Sequence, residues 1–312
     1  MLVGARLLQF AGALVVLGTS LFCIYGSQTD PGTSPALQSR RWLKQVLILS
    51  AATAAIGTVL WIMAETVLFS GDPTDGTRPA AVWVVFAETR FGRVCLLRLG
   101  LLGVSLTLSL LARRGRVFWF AQSLLASVVV ATFAWTGHGT MDSGWPGLLH
   151  SGGDVLHLWF AGVWFGALVP LLVLIFLAIQ SRQPADAQAA HYGLERFSAI
   201  GVTVVVALTI TGLINSGFLI GIAHWRAMTT TSYGNVLLVK LGLFAMMLVL
   251  AAVNRFWWSR RLHSALGASD EELWLSSLRS LRRSVLTESG MAVLLVLAVA
   301  MLGTLAPPSS AD

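Results

Sequence analysis

The sequence predicts an all-α integral membrane protein, an eight-transmembrane-helix bundle, on three observations. Only 11% of the 312 residues are charged and 56% are hydrophobic, where a soluble domain carries about 25% charged residues. Mean hydropathy is +0.77. Eight apolar runs stand out, near 5–25, 43–69, 93–112, 117–136, 154–179, 197–223, 233–256 and 285–306, and a bilayer crossing takes about 20 residues. Each run must be a helix, because lipid offers no partner for a bare backbone N–H or C=O.

Taken in order, the first run has a signal-peptide-like core at 7–25. It lacks a small-x-small cleavage site and has only Arg6 before it, so it reads as a membrane helix. Cys23 and Cys95 lie in or beside apolar runs without CxxC spacing and read as packing residues. No loop is long enough for a soluble domain, so 1–312 reads as a single polytopic domain. The longest loop, 257–284, holds Ser269 followed by Glu272. That is a capping-box pattern and predicts a short surface helix. Trp42, Trp61, Trp119, Trp135, Trp225 and Trp257 fall near helix ends, as in an interfacial belt.

Charge sets the orientation. Arg40, Arg41, Lys44, Arg113, Arg114, Arg116, Arg182, Arg196, Arg255, Arg260, Arg261, Arg279, Arg282 and Arg283 all follow odd-numbered helices. The positive-inside rule puts those loops in the cytoplasm and both termini on the outer, periplasmic side. The net charge of +7 is spread over short loops rather than a stripe, which gives no support to nucleic-acid binding.

Ionisable groups inside apolar helices are costly and mark sites by default. Glu65, Arg98, Asp154, His157, Asn215 and Lys240 all fall in the outer half of their helices, which suggests a polar vestibule opening outward. Glu288 is the exception, near the cytoplasmic end, where Arg282 and Arg283 could neutralise it. The plainer alternative has Arg98 and Lys240 snorkelling to the headgroups, with Glu65 paired to one of them. Asn215 could serve as an interhelical hydrogen-bonding group.

The stretch from Gly137 to Trp164 gathers His138, Met141, Asp142, His150, Asp154 and His157. His150, Asp154 and His157 are spaced i, i+4, i+7, so they share a helix face if the helix starts early enough. Gly152-Gly153 argues against that early start. Imidazole and carboxylate suit Cu(II), and Met with His suits Cu(I), so the set His138, Met141, His150, Asp154 and His157 fits copper in either state. The alternatives are an N-cap role for Asp154, solvated loop positions for His138 and His150, and a buried, hydrogen-bonded His157. His224 and Met228 in the next outer loop could add ligands. Met246, Met247 and Met291 could step Cu(I) inward or simply fill the core. His191 and His263 fall on the cytoplasmic side and carry no signal.

Several stretches are similar to one family. ERFSAIGVTVVVALTITGLINS carries a Thr-Gly-x-x-Asn element at Thr211, Gly212 and Asn215. TTTSYGNVLLVKLGLF carries Thr231, Tyr233, Gly234 and Lys240, followed by Asn254-Arg255. LRRSVLTE and LGTLAPP close the chain, and DVLHLWFAGVWFGALVPL carries His157, Trp164 and Gly166. Together these resemble the CopD family of bacterial copper-resistance and copper-uptake proteins, most strongly over 195–308. The resemblance implies eight helices in the bacterial inner membrane and copper, as Cu(I) or Cu(II), as the metal. It also implies a periplasmic copper-binding protein of the CopC type as partner. The chain lacks the fused copper-binding domain that some members carry.

The expected function is copper uptake, homeostasis and resistance, by accepting periplasmic copper at an outward-facing His/Asp/Met site. The alternative is a b-type cytochrome, with haem held between His138 and His157 on helices four and five. No GxSxG or HExxH pattern points to hydrolysis, so the chain reads as a binding protein rather than an enzyme.

Overall fold

Residues 1–26, 41–112, 115–136, 144–220 and 227–308 are described by a computed structural model. Ten helices of nine residues or more organise them: α1 Leu2–Tyr25, α2 Arg41–Ser70, α3 Pro79–Glu88, α4 Arg90–Leu111, α5 Arg116–Ala131, α6 Gly144–Ser181, α7 Pro184–Ile220, α8 Ser232–Val253, α9 Ser259–Gly267 and α10 Glu271–Leu302. Eight spans are long and apolar enough to cross a membrane: α1, α2, α4, α5, α6, α7, α8 continuing into α9, and α10. The eight predicted runs match them one for one.

The first span is the hub. α1 packs against α2, α5, α6 and α10, and one apolar core gathers around it, α2 and α5, including Phe10, Leu14, Leu17, Leu47 and Val130. A second core joins α6, α7, α9 and α10 through Leu168, Leu171, Ile175, Leu262 and Leu278. The contact between α1 and α6 depends on small residues. A Cβ on Gly18 or Gly166 would collide with the facing backbone, the close approach that a G-x-x-x-G pair such as Gly162 and Gly166 permits in lipid. Pro170 adds a second device. Having no N–H, it leaves the Gly166 carbonyl without its usual helical donor, and the Thr19 hydroxyl donates to that carbonyl from α1 at 3.4 Å.

Several local expectations are corrected. α6 starts at Gly144 and runs unbroken through Gly152 and Gly153. Two glycines cost about 1 kcal/mol each in a helix, less than the packing of a 38-residue segment supplies. Asp154 is therefore ten residues inside the helix and not its N-cap. The surface helix expected within 257–284 is the first part of α10 itself. Its cap is Asp270, whose carboxylate accepts from the Leu273 N–H, whereas Ser269 turns the chain at φ 54°. Trp61 and Trp119 are buried in the bundle rather than in an interfacial belt, while Trp135 and Trp257 are exposed. The apolar α3, between the second and third spans, was not foreseen; Pro79 at its first turn was the available signal. Cys23 and Cys95 are both buried and unbridged, as packing residues should be.

Candidate functional site

The intramembrane polar residues do not form one vestibule. They form two centres, in different sets of helices.

The first belongs to α1, α2, α4 and α5. Arg98, with no exposed surface, donates to Gln9 Oε1 at 2.7 Å, Thr132 Oγ1 at 2.8 Å, and the Thr132 carbonyl and Thr136 Oγ1 at 3.1 Å each. Its guanidinium lies 4.2 Å from the centroid of the Phe133 ring. Glu65 accepts from Trp61 Nε1 at 2.9 Å, and the Arg6 guanidinium lies 4.9 Å from the Trp61 ring. Arg6 is the cation on which the Glu65 carboxylate acts. Arg98 therefore does not snorkel; neutral acceptors tie it down on several sides.

The second centre lies where α6, α7 and α8 meet. The early start of α6 puts His150, Asp154 and His157 on one face. Asn215 Nδ2 donates to Asp154 Oδ1 at 2.6 Å. Gly153 makes that bond possible, because a Cβ there would meet Asn215 Oδ1 at 3.0 Å and Ile214 Cγ2 at 3.4 Å. Asn215 Oδ1 is buried and has no hydrogen-bond donor. His150 Nε2 is 3.9 Å from Asp154 Oδ2, and its ring stacks on Phe218, centroids 4.7 Å apart. Lys240 reaches this region from α8. The pairing of Lys240 with Glu65 allowed by the sequence is not formed: Glu65 is held by Trp61 in the first centre, and Lys240 lies at the second.

His157 is held by a directional relay. Thr211 Oγ1 donates to the Ala207 carbonyl at 2.6 Å, so its lone pairs face the imidazole. His157 Nδ1 lies 2.9 Å from that oxygen. With the hydroxyl proton committed to the backbone, Nδ1 is the donor and Nε2 keeps its lone pair. His157 lines a cavity of 430 Å³ together with Lys240, Gly212, Ser216, Met228 and Met247. A soft thioether, an imidazole and an ammonium thus share one space.

The i, i+7 spacing puts His150 and His157 roughly 10 Å apart along the helix axis. One ion cannot take both with Asp154 between them. The set expected from sequence thus falls into two groups, His150 with Asp154 and, deeper, His157. His138, Met141 and His224 lie outside the described residues, and so does half of the haem pair. Met246 faces outward, whereas Met247 is buried at the cavity.

Glu288 is also relocated. It is 1% exposed and accepts from Trp164 Nε1 at 2.8 Å and Asn254 Nδ2 at 3.1 Å. These two neutral donors hold it, in place of the expected Arg282 and Arg283.

Sequence reasoning passed over one cluster. His191, Glu195 and His263 bring three ligand atoms within 4.8 Å of one another, the group among the described residues that could close around an ion. His191 and Glu195 had helical spacing as a signal, but His263 joins them only through the packing of α9 on α7.

Residues 1–148 match the family described as "Copper resistance protein D-like, N-terminal domain", and residues 191–302 match "Copper resistance protein D". The chain is 31% identical over 316 residues to a "Copper resistance protein D" of Pseudomonas syringae pv. tomato, covering 99% of this chain and 97% of the relative. It is 28% identical over 257 residues to "Inner membrane protein YebZ" of Escherichia coli K12, covering 81% and 83%. It is 28% identical to "Copper transport protein CutJ" of Bacillus subtilis strain 168, covering 80% of this chain and 45% of that one. No solved structure matches.

Proposed function

The chain belongs to the copper resistance protein D family, and from that premise we propose that it accepts copper at the Asp154 end of the bundle and passes it inward to His157. The observation that carries this is the contact of His157 Nδ1 with Thr211 Oγ1, whose own proton lies on the Ala207 carbonyl: Nδ1 is engaged there, and Nε2 is left to ligate. His150 and Asp154 form the first station, and His157, with Met228 and Met247 on the same cavity, forms the second; the ion passes between them by exchange of ligands, with no change of oxidation state. Lys240 acts as a tethered cation that balances Asp154 until copper arrives and then withdraws.

The Asp154 end faces the periplasm on this reading, and the membrane is the bacterial inner membrane. The opposite end holds Arg41, Lys44, Arg116, Arg182, Arg255, Arg260 and Arg261, as the positive-inside rule requires of a cytoplasmic face. A reporter active only in the cytoplasm, fused after Asp312, should stay silent; activity there would reverse the orientation.

The site itself is tested by copper titration of the purified protein, with the ion supplied free or on a small periplasmic carrier of the CopC type. His157→Ala should remove one copper equivalent and leave the thermal melt unchanged, because the ring contributes little to the apolar faces of α6. His150→Ala should weaken binding by a smaller factor. Parent-like copper binding in His157→Ala would refute the assignment.

A further inference from the structure

We propose that His191, Glu195 and His263 form a second transition-metal site, for a divalent ion such as Cu(II) or Zn(II), at the end of the bundle opposite His157. His191 and Glu195 sit one turn apart on α7, with His191 Nε2 3.7 Å from Glu195 Oε1. His263 comes from α9, its ring centroid 5.3 Å from that of His191. All three ligand atoms lie within 4.8 Å of one another.

Two further observations separate this cluster from a plain surface ion pair. His191 is only 7% exposed, and its Nε2 is buried with no hydrogen-bond partner. A cation placed between that nitrogen and the Glu195 oxygen, 3.7 Å away, would satisfy both.

The arginines around the groove are occupied elsewhere. Arg255 donates to the Ser198 carbonyl at 3.0 Å, Arg196 donates to the Tyr192 hydroxyl at 3.0 Å, and Arg260 lies against the Phe256 ring. Two imidazoles and a carboxylate, with no sulfur, select a borderline divalent ion over Cu(I).

The position gives the site its meaning. Thr211, which holds His157, is on the same α7 as His191, twenty residues away. At 1.5 Å per residue that is roughly 30 Å, the thickness of the hydrocarbon core. One helix thus runs from the group that orients His157 to the imidazole of His191, and the second site stands where an ion that had crossed would emerge. This role rests on the copper reading of the His157 end; the site itself does not.

The test uses the full chain in detergent, stripped of metal and titrated with Cu(II) or Zn(II) alone. In a His150→Ala, His157→Ala background about one divalent equivalent should remain. His263→Ala and Glu195→Gln each alter an exposed side chain, so folding is preserved. Each should weaken the remaining binding at least about tenfold, and His263→Ala should remove one imidazole from the nitrogen hyperfine pattern of the Cu(II) spectrum. A background that binds neither ion, or binding indifferent to both changes, overturns the proposal. Failure of the copper reading shows elsewhere, as a total copper stoichiometry that the His150→Ala, His157→Ala change leaves at the parent's value.

Discussion

The Arg98 centre and the His157 centre sit in one apolar bundle and answer the same problem in opposite ways. Arg98 is a permanent charge with no exposed surface; four of its five N–H donors are spent on Gln9, Thr132 and Thr136, and its face lies on the Phe133 ring. It carries no lone pair with which to bind a metal. His157 uses one nitrogen on Thr211 and presents the other to a cavity shared with Met228, Met247 and Lys240. A satisfied polar group in a membrane helix holds helices together; a half-satisfied one, facing space, is available for exchange. Membrane depth alone, the criterion the sequence offers, does not separate these two cases. Counting the donors does.

The largest expected effect is on the saturated centre. Arg98→Leu would take the shortest donor from the Gln9 oxygen and the guanidinium donors from the buried Thr132 hydroxyl and carbonyl. An unmet buried acceptor costs about 1–3 kcal/mol, so the variant should lose about 3 kcal/mol or more and accumulate poorly. Thermal melts in detergent should show the loss, with copper stoichiometry intact in whatever folds. A variant that melts like the parent but no longer takes copper would move Arg98 into the functional set and dissolve the contrast.

This contrast also marks what was legible in the sequence. Helix number was readable because the bilayer dictates it, and some limits with it: the run at 43–69 became Arg41–Ser70, and that at 233–256 begins at Ser232. The helices of the runs at 154–179, 197–223 and 285–306 begin well before them, at Gly144, Pro184 and Glu271, in segments whose polarity the bilayer does not constrain. The shared face of His150, Asp154 and His157 followed from spacing once α6 started early. The two glycines obscured that start, since their local cost gave no measure of the tertiary packing that outweighs it. Partnerships across helices were not legible. Lys240, Glu65 and Arg98 have similar depths, and depth says nothing of azimuth; the fold sends Lys240 to the His157 cavity and Glu65 to Trp61. His191 and His263 are 72 residues apart in a chain numbered through two helices, so only the packing of α9 on α7 brings them together.

A smaller effect sharpens the functional side. If Thr211 matters because it accepts from His157 Nδ1, then Thr211→Val should lower copper affinity about 10–100-fold, the usual cost of losing an orienting partner. Val keeps the shape and β-branching of Thr, so the melt should barely move. Thr211→Ser retains the hydroxyl and should bind like the parent. Equal copper affinities in the Val and Ser variants would show that the imidazole needs no orientation from α7, and the Thr211 contact would lose its role.

The smallest effect concerns the ion that stands in for copper. Lys240 and Asp154 belong to one centre, on α8 and α6, while Asn215 clamps the carboxylate at 2.6 Å. Neighbours in one network show coupling energies of about 0.5–3 kcal/mol, whereas groups without shared partners add independently. Stability of Asp154→Asn, Lys240→Met and the double variant should therefore reveal coupling of about 1 kcal/mol, near the lower part of that range, because no direct ion pair closes between them. The matching cycle of Glu65→Gln with Lys240→Met should be additive, since those residues belong to different centres. Copper adds a second axis to the same cycle. If Lys240 balances Asp154 only until the metal arrives, Lys240→Met should bind copper more tightly than the parent and Asp154→Asn more weakly. Coupling that appears between Lys240 and Glu65 instead would merge the two centres into the single vestibule that depth alone suggests.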